Sequence, residues 1–340
     1  MRTDELEVMS QPAIRVRKQL GAFLITWLLS IAVVLAGITT QIRRYSQSKT
    51  LLSAVLIAFA VQFAFYWLPG FPALRARFEA PFNRRGRALA AGTMLLIPYI
   101  IYGGGTGTWS PVSALKLLGI TAIALGVYTL FPARSQELSW QDMIVMLVAV
   151  VPMYMRWYRE IWPAPVYLDV MARLFVVSMA AFAALSLRPL TDVGYEWRIE
   201  LGDWVESAKQ LVFFLAIGLP LGLVMRFIAW RPRSEGIFGV ASSFVGIFLF
   251  IAVTEELFFR GMLQNLLEKS IANKYVARGI ASVIFGISHI HHGFPNWRYV
   301  LMAAIAGWFY GTAWQNRKSI LASSITHAAV DTLWRHFFLV

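Results

Sequence analysis

Glu255 and Glu256 stand side by side inside an apolar stretch, GIFLFIAVTEELFFRGMLQNLL. An ionisable side chain at mid-bilayer costs about 2.5–3.5 kcal/mol, so two adjacent ones need a reason. On a helix, Glu256 and Arg260 are four residues apart with the acid first, the favoured order for an intrahelical ion pair. Glu255 is rotated by about 100° from Glu256 and has no charged residue three or four positions away in its own helix. The spacing therefore predicts a structural role for Glu256 with Arg260 and a chemical one for Glu255. A buried carboxylate suits a general base. The bland alternative is that both acids only hold a helix bundle together.

Two further apolar stretches carry titratable groups. Phe285 and His289 are four residues apart and share a helix face, as do His327 and Asp331. All 5 histidines of the chain come after residue 288; His291, His292 and Gly293 follow His289 at a helix end, where they suit the interface. A lone histidine on an apolar helix is more often a packing residue, and a His–Asp pair can neutralise itself. Here three successive apolar segments each present polar groups where lipid would exclude them. If they converge, Glu255, His289, His327 and Asp331 form one polar pocket within the membrane.

The elements that must position these groups are helices. Of 340 residues, 58% are hydrophobic and 14% charged, against about 25% charged in a soluble domain. A bilayer can accommodate that much apolar surface. Apolar stretches recur at about 20–40, 51–69, 88–104, 114–131, 143–155, 166–187, 210–230, 237–258, 276–290, 299–314 and 319–339. The expected fold is all-α, a polytopic transmembrane bundle of roughly eight to eleven spans, since backbone groups in lipid must be satisfied within the segment. Residues 1–18 are polar and end in Arg15, Arg17 and Lys18, so the stretch after them reads as a first transmembrane helix, not a cleaved signal. Residues 188–209 concentrate Asp192, Glu196, Glu200, Asp203 and Glu206 with Trp197 and Trp204, which suggests an interfacial connector. Three regions are expected: 1–187 of N-terminal helices, the connector, and a catalytic part at 210–340.

The net charge is +13, from 31 basic and 18 acidic residues. The basic residues fall between apolar runs, at Arg43–Arg44, Arg75 to Arg87, Arg231–Arg233 and Arg317–Lys318. That is the pattern of cytoplasmic loops and contacts with anionic lipids, and nucleic-acid binding is not expected. Trp67, Trp157, Trp162 and Trp230 near run ends fit an interfacial aromatic belt. With no cysteine in the chain, thiol nucleophiles, thiolate zinc sites and disulfides are excluded.

E-E-L-F-F-R (255–260), F-G-I-S-H (285–289) and H-A-A-V-D (327–331) resemble, in order, the EExxxR, FxxxH and Hxxx[N/D] motifs of the CPBP family, the CAAX-protease and bacteriocin-processing proteins. The resemblance covers about residues 237–336. It implies an intramembrane glutamic endopeptidase without cofactor or metal, acting on a membrane protein or a lipidated peptide amid membrane lipids. By that resemblance Glu255 and His289 activate the attacking water, while His327 and Asp331 stabilise the oxyanion. Glu256, Arg260 and Phe285 support the site. Better-studied members have Asn at the last position. An ionised Asp cannot donate a hydrogen bond, so Asp331 is either protonated or orients His327. A zinc peptidase could use the same residues, although HExxH is absent. Ser288 in G-I-S-H would suit a serine peptidase but leaves the paired glutamates unexplained. A transporter or immunity protein is the non-enzymatic alternative.

Overall fold

The computed structural model describes residues 3–339 apart from 46–48, 164–167, 234, 292 and 294–295, and side chains from residue 14 onward apart from 38–48 as well. The chain divides into two compact units, Met1–Arg134 with Ser139–Pro189, and Ser135–Leu138 with Leu190–Val340.

The first unit contains α1 (Thr3–Tyr45), α2 (Lys49–Trp67), α3 (Pro72–Glu79), α4 (Arg84–Thr106), α5 (Pro111–Leu130), α6 (Trp140–Tyr154), α7 (Tyr158–Ile161) and α8 (Asp169–Leu187). The starts are written locally. Asn83 accepts from the Gly86 N–H at 2.9 Å, Ser110 caps α5 ahead of Pro111, and Asp142 accepts from the Ser139 N–H at 2.8 Å. Each satisfies backbone donors that a helix leaves unpaired at its first turn. The Ala-rich α8 is buried among α2, α4, α5 and α6. At its end Arg188 meets Asp142 at 3.0 Å, and the Tyr128 hydroxyl donates to the same carboxylate, so the buried ion pair is well furnished with partners.

The second unit contains α9 (Leu201–Val224), α10 (Gly236–Ser270), α11 (Lys274–Ser288), α12 (Trp297–Arg317) and α13 (Ile320–Phe337). Two short strands, β1 (Ala229–Trp230) and β2 (Phe338–Leu339), pair antiparallel and tie the end of α13 to the segment before α10. The acidic stretch is irregular up to Glu200 and then becomes the first turns of α9. Its acids bind the C-terminal end of α12. Arg317 reaches Glu200 at 3.0 Å and Asp203 at 3.1 Å, and Asn316 donates to Glu206 at 2.7 Å. Upstream, the Lys269 ammonium donates to Asp192 and holds its carboxyl below the ordinary range.

Among the described residues, seven helices are long and apolar enough to cross a membrane: Ile14–Gly37, Lys49–Gly70, Arg84–Thr106, Pro111–Leu130, Asp169–Leu187, Leu201–Val224 and Gly236–Ser270. The other apolar stretches are helical too, as α6, α11, α12 and α13. The 15 residues of α6 and of α11 are short for a span of about 20, and α13 carries His327, Asp331, Arg335 and His336. The chain is an all-α, multi-pass membrane protein.

α11 and α12 approach closely because Gly286 has no side chain. A Cβ there would lie 2.5 Å from the Val300 carbonyl oxygen and 2.8 Å from the Ala304 Cβ. Gly286→Ala is therefore expected to force the two helices apart and lower stability by about 1–3 kcal/mol, read as an earlier unfolding midpoint in detergent.

Candidate active site

Glu255 and Glu256 lie in α10 between two π-helical turns, Phe248–Ala252 and Leu257–Gln264. π turns occur mostly as local bulges at functional sites. They do not break the Glu256–Arg260 pair. Arg260 Nε donates to Glu256 Oε2 at 2.9 Å, with both side chains fully buried. The guanidinium carbon lies 5.0 Å from the centre of the Phe285 ring, a cation–π contact, and its terminal nitrogens have no hydrogen-bond partner among the described residues. Gly307 of α12 leaves room for this group, since a Cβ there would come 3.3 Å from the guanidinium.

Glu256 does more than hold Arg260. Its other oxygen accepts from Nδ1 of His327 at 2.9 Å, and the Ser323 hydroxyl lies against the same carboxylate. His327 is therefore fixed through Nδ1 by Glu256 of α10. Its Nε2 faces Asp331 at 3.5 Å and Glu255 at 4.0 Å. Asp331 is the most exposed member of the group, with 36% of its side chain accessible.

His289 is the first residue past the end of α11. Its Nδ1 lies 2.9 Å from the Phe285 carbonyl oxygen. A carbonyl only accepts, so Nδ1 carries a proton, and in the neutral ring Nε2 then holds the lone pair. That Nε2 is 3.8 Å from Glu255 Oε2. The Ser288 hydroxyl donates to the Phe285 carbonyl at 2.7 Å. His291 is exposed, and His292 lies outside the described residues.

The four residues expected to do chemistry, Glu255, His289, His327 and Asp331, thus come together from α10, α11 and α13, with Phe285 between the two histidines. Sequence reasoning missed Tyr299, Tyr310 and Ser323. Tyr299 lies parallel to His289, 5.5 Å between ring centres, and Tyr310 parallel to His327 at 4.6 Å. Ser323 had a readable signal, because it precedes His327 by four residues and shares its face. In an aromatic-rich chain the tyrosines had none. No group of three or more His, Cys, Asp or Glu side chains among the described residues is arranged to hold a metal ion.

Residues 237–333 match the family described as type II CAAX prenyl endopeptidase Rce1-like. This stretch belongs to that family. The Rce1-like stretch runs from the start of α10 into α13 and includes every site residue described above. The family is one of peptidases, so the chain is a peptidase of the membrane. No curated protein and no solved structure matches the chain.

Proposed function

We propose that the protein is an intramembrane glutamic endopeptidase that hydrolyses a peptide bond in a membrane-associated or lipidated protein, with Glu255 as the general base. One observation carries this reading. Oε2 of Glu255 is faced by the Nε2 atoms of two imidazoles, His289 at 3.8 Å and His327 at 4.0 Å. These distances are too long for direct hydrogen bonds and suit a water oxygen about 2.8 Å from the carboxylate and from an imidazole.

Such a water donates one hydrogen bond to Glu255 and one to Nε2 of His289. As its oxygen attacks the scissile carbonyl, its proton passes to Glu255. The glutamic acid so formed returns that proton to the leaving amine when the C–N bond breaks. The oxyanion needs donors. His327 gives Nδ1–H to Glu256 and so donates from Nε2 as well only as an imidazolium. Asp331, beside that Nε2, is a second donor when protonated.

The test is cleavage of a tagged membrane protein or a prenylated peptide by the purified protein in liposomes. Turnover that survives exhaustive chelation and is lost in Glu255→Gln supports the proposal. Turnover abolished by chelation and restored by zinc supports a zinc-dependent peptidase built on the same residues instead.

Asp331 allows a sharper prediction. Because Glu256 already holds Nδ1 of His327, Asp331 is not needed to orient that ring, which favours the donor role. Asn is a permanent donor of similar shape. Asp331→Asn is expected to retain activity and to extend it toward higher pH, because an amide donor does not titrate. A pH–rate profile decides. A loss of orders of magnitude at every pH would assign Asp331 to holding His327.

A further inference from the structure

The two histidines of the site are built into the fold by the same device. The terminal torsion of a histidine side chain is broad and two-fold, so rotamer preference alone leaves the ring plane loose. Each ring is anchored at Nδ1, His289 by the Phe285 carbonyl at 2.9 Å with the Ser288 hydroxyl 3.1 Å away, and His327 by Glu256 at 2.9 Å. Anchoring at one ring nitrogen still lets the ring tilt about that atom. The tilt is removed by a parallel aromatic face. Tyr299 covers His289 with 10° between planes, and Tyr310 covers His327 with 13° between planes. Phe285 closes the other approach, tilted against His289 at 4.7 Å and edge-on to His327 at 5.8 Å.

Both tyrosines come from α12. Between residues 297 and 317 that helix has no acid and no histidine, and none of the three motifs falls on it. Its position follows from other contacts. It packs on α11 through Gly286 and on α9 and α13 along its length. Tyr310 is almost fully buried, while Tyr299 is half-buried and braced from another side by Phe227 at 5.4 Å. Two rings on one helix, each parallel to a different histidine, form a wall against which both Nε2 atoms are aimed at a single carboxylate oxygen.

We propose that Tyr299 and Tyr310 are positioning residues that fix the imidazole planes of His289 and His327, so that α12 is a working wall of the site and not merely its packing neighbour. The inference rests on the reading of Glu255 as general base. The ring face does the work, through stacking, and the hydroxyl is dispensable. A displacement of about 1 Å at a reacting group can cost about 100-fold in rate, which sets the scale.

The experiment pairs Tyr→Phe with Tyr→Leu at each position, in the full chain in liposomes. Tyr299→Phe and Tyr310→Phe keep the ring and are expected to hold kcat within about twofold. Tyr299→Leu and Tyr310→Leu remove it and are expected to lower kcat about 10- to 100-fold with KM nearly unchanged, because substrate contacts are not altered. Phe variants as impaired as Leu variants would overturn the proposal in favour of the hydroxyl; Leu variants with normal kcat would overturn it outright. A second readout needs no turnover. In protein labelled at histidine, the ring protons of His289 and His327 should be shifted upfield by the neighbouring ring in wild type and Phe variants, and return toward ordinary values in Leu variants. Absence of that shift in the wild type refutes the stack. Its presence in a protein that cleaves nothing would refute the peptidase mechanism and leave the stack standing. Should Tyr310→Leu not fold, Tyr299→Leu, at the half-buried position, decides.

Discussion

Glu255→Gln is expected to reduce turnover by about 10²–10⁴-fold, the range that general acid–base catalysis contributes, while the protein unfolds at the same temperature as wild type. Gln keeps the shape of the side chain and loses only its ability to take a proton. Stability should hold because 20% of the Glu255 side chain is accessible and its contacts with His289 and His327, at 3.8 and 4.0 Å, are longer than direct hydrogen bonds. The variant also removes one of the carboxylates gathered around His327, which relieves like-charge repulsion. Single-turnover cleavage in liposomes and a thermal unfolding curve are the two measurements. A variant that keeps more than about a tenth of wild-type turnover removes Glu255 from the base role.

Glu256→Gln should differ in the second measurement and unfold at a clearly lower temperature than wild type. Arg260 is fully buried and, among the described residues, its Nε pairs with this carboxylate alone. Breaking a buried pair from one side typically costs about 3–5 kcal/mol, because a charge is left without compensation. The same carboxylate accepts from Nδ1 of His327 and touches Ser323, so turnover should fall as well. Adding Arg260→Met separates the two effects. The double variant no longer buries an unpaired guanidinium and should regain most of the stability. It should not regain turnover, because the neutral amide still cannot support His327 as a cation. Equal stability losses for Glu255→Gln and Glu256→Gln would contradict this division between the neighbours.

What could be read in the sequence follows from what a single helix determines. The pairing of Glu256 with Arg260 and the shared face of His327 and Asp331 are properties of four-residue spacing, and the structure gives 2.9 and 3.5 Å for them. Apolar runs marked the helices because lipid and core impose one rule along the whole chain. The second contact of Glu256, with His327 of α13, is a property of two helices docking, and no spacing within α10 encodes it. Tyr299 and Tyr310 were hidden for a related reason. In a chain with 12 tyrosines and 24 phenylalanines, an aromatic residue on an apolar helix signals nothing until the facing side chain is known. The acids at 188–209 stood out by composition, but that Arg317 and Asn316 receive them depends on where α12 ends.

The two π turns in α10 have a consequence for how this helix tolerates change in length. A π turn holds about one residue more than the α-helical turn it replaces, so the chain carries slack on either side of Val253–Glu256. Elsewhere in a packed helix, deleting one residue rotates everything beyond it by about 100°. Within Phe248–Ala252 or Leu257–Gln264, a deletion can instead be absorbed by relaxation to an α-helical turn, keeping the flanking faces in register. The residue count of α10 is thus less strict at its two π turns than elsewhere: a one-residue deletion there should leave an inserted, folded protein in which Val253–Glu256 keeps its facing, whereas the same deletion outside them should not.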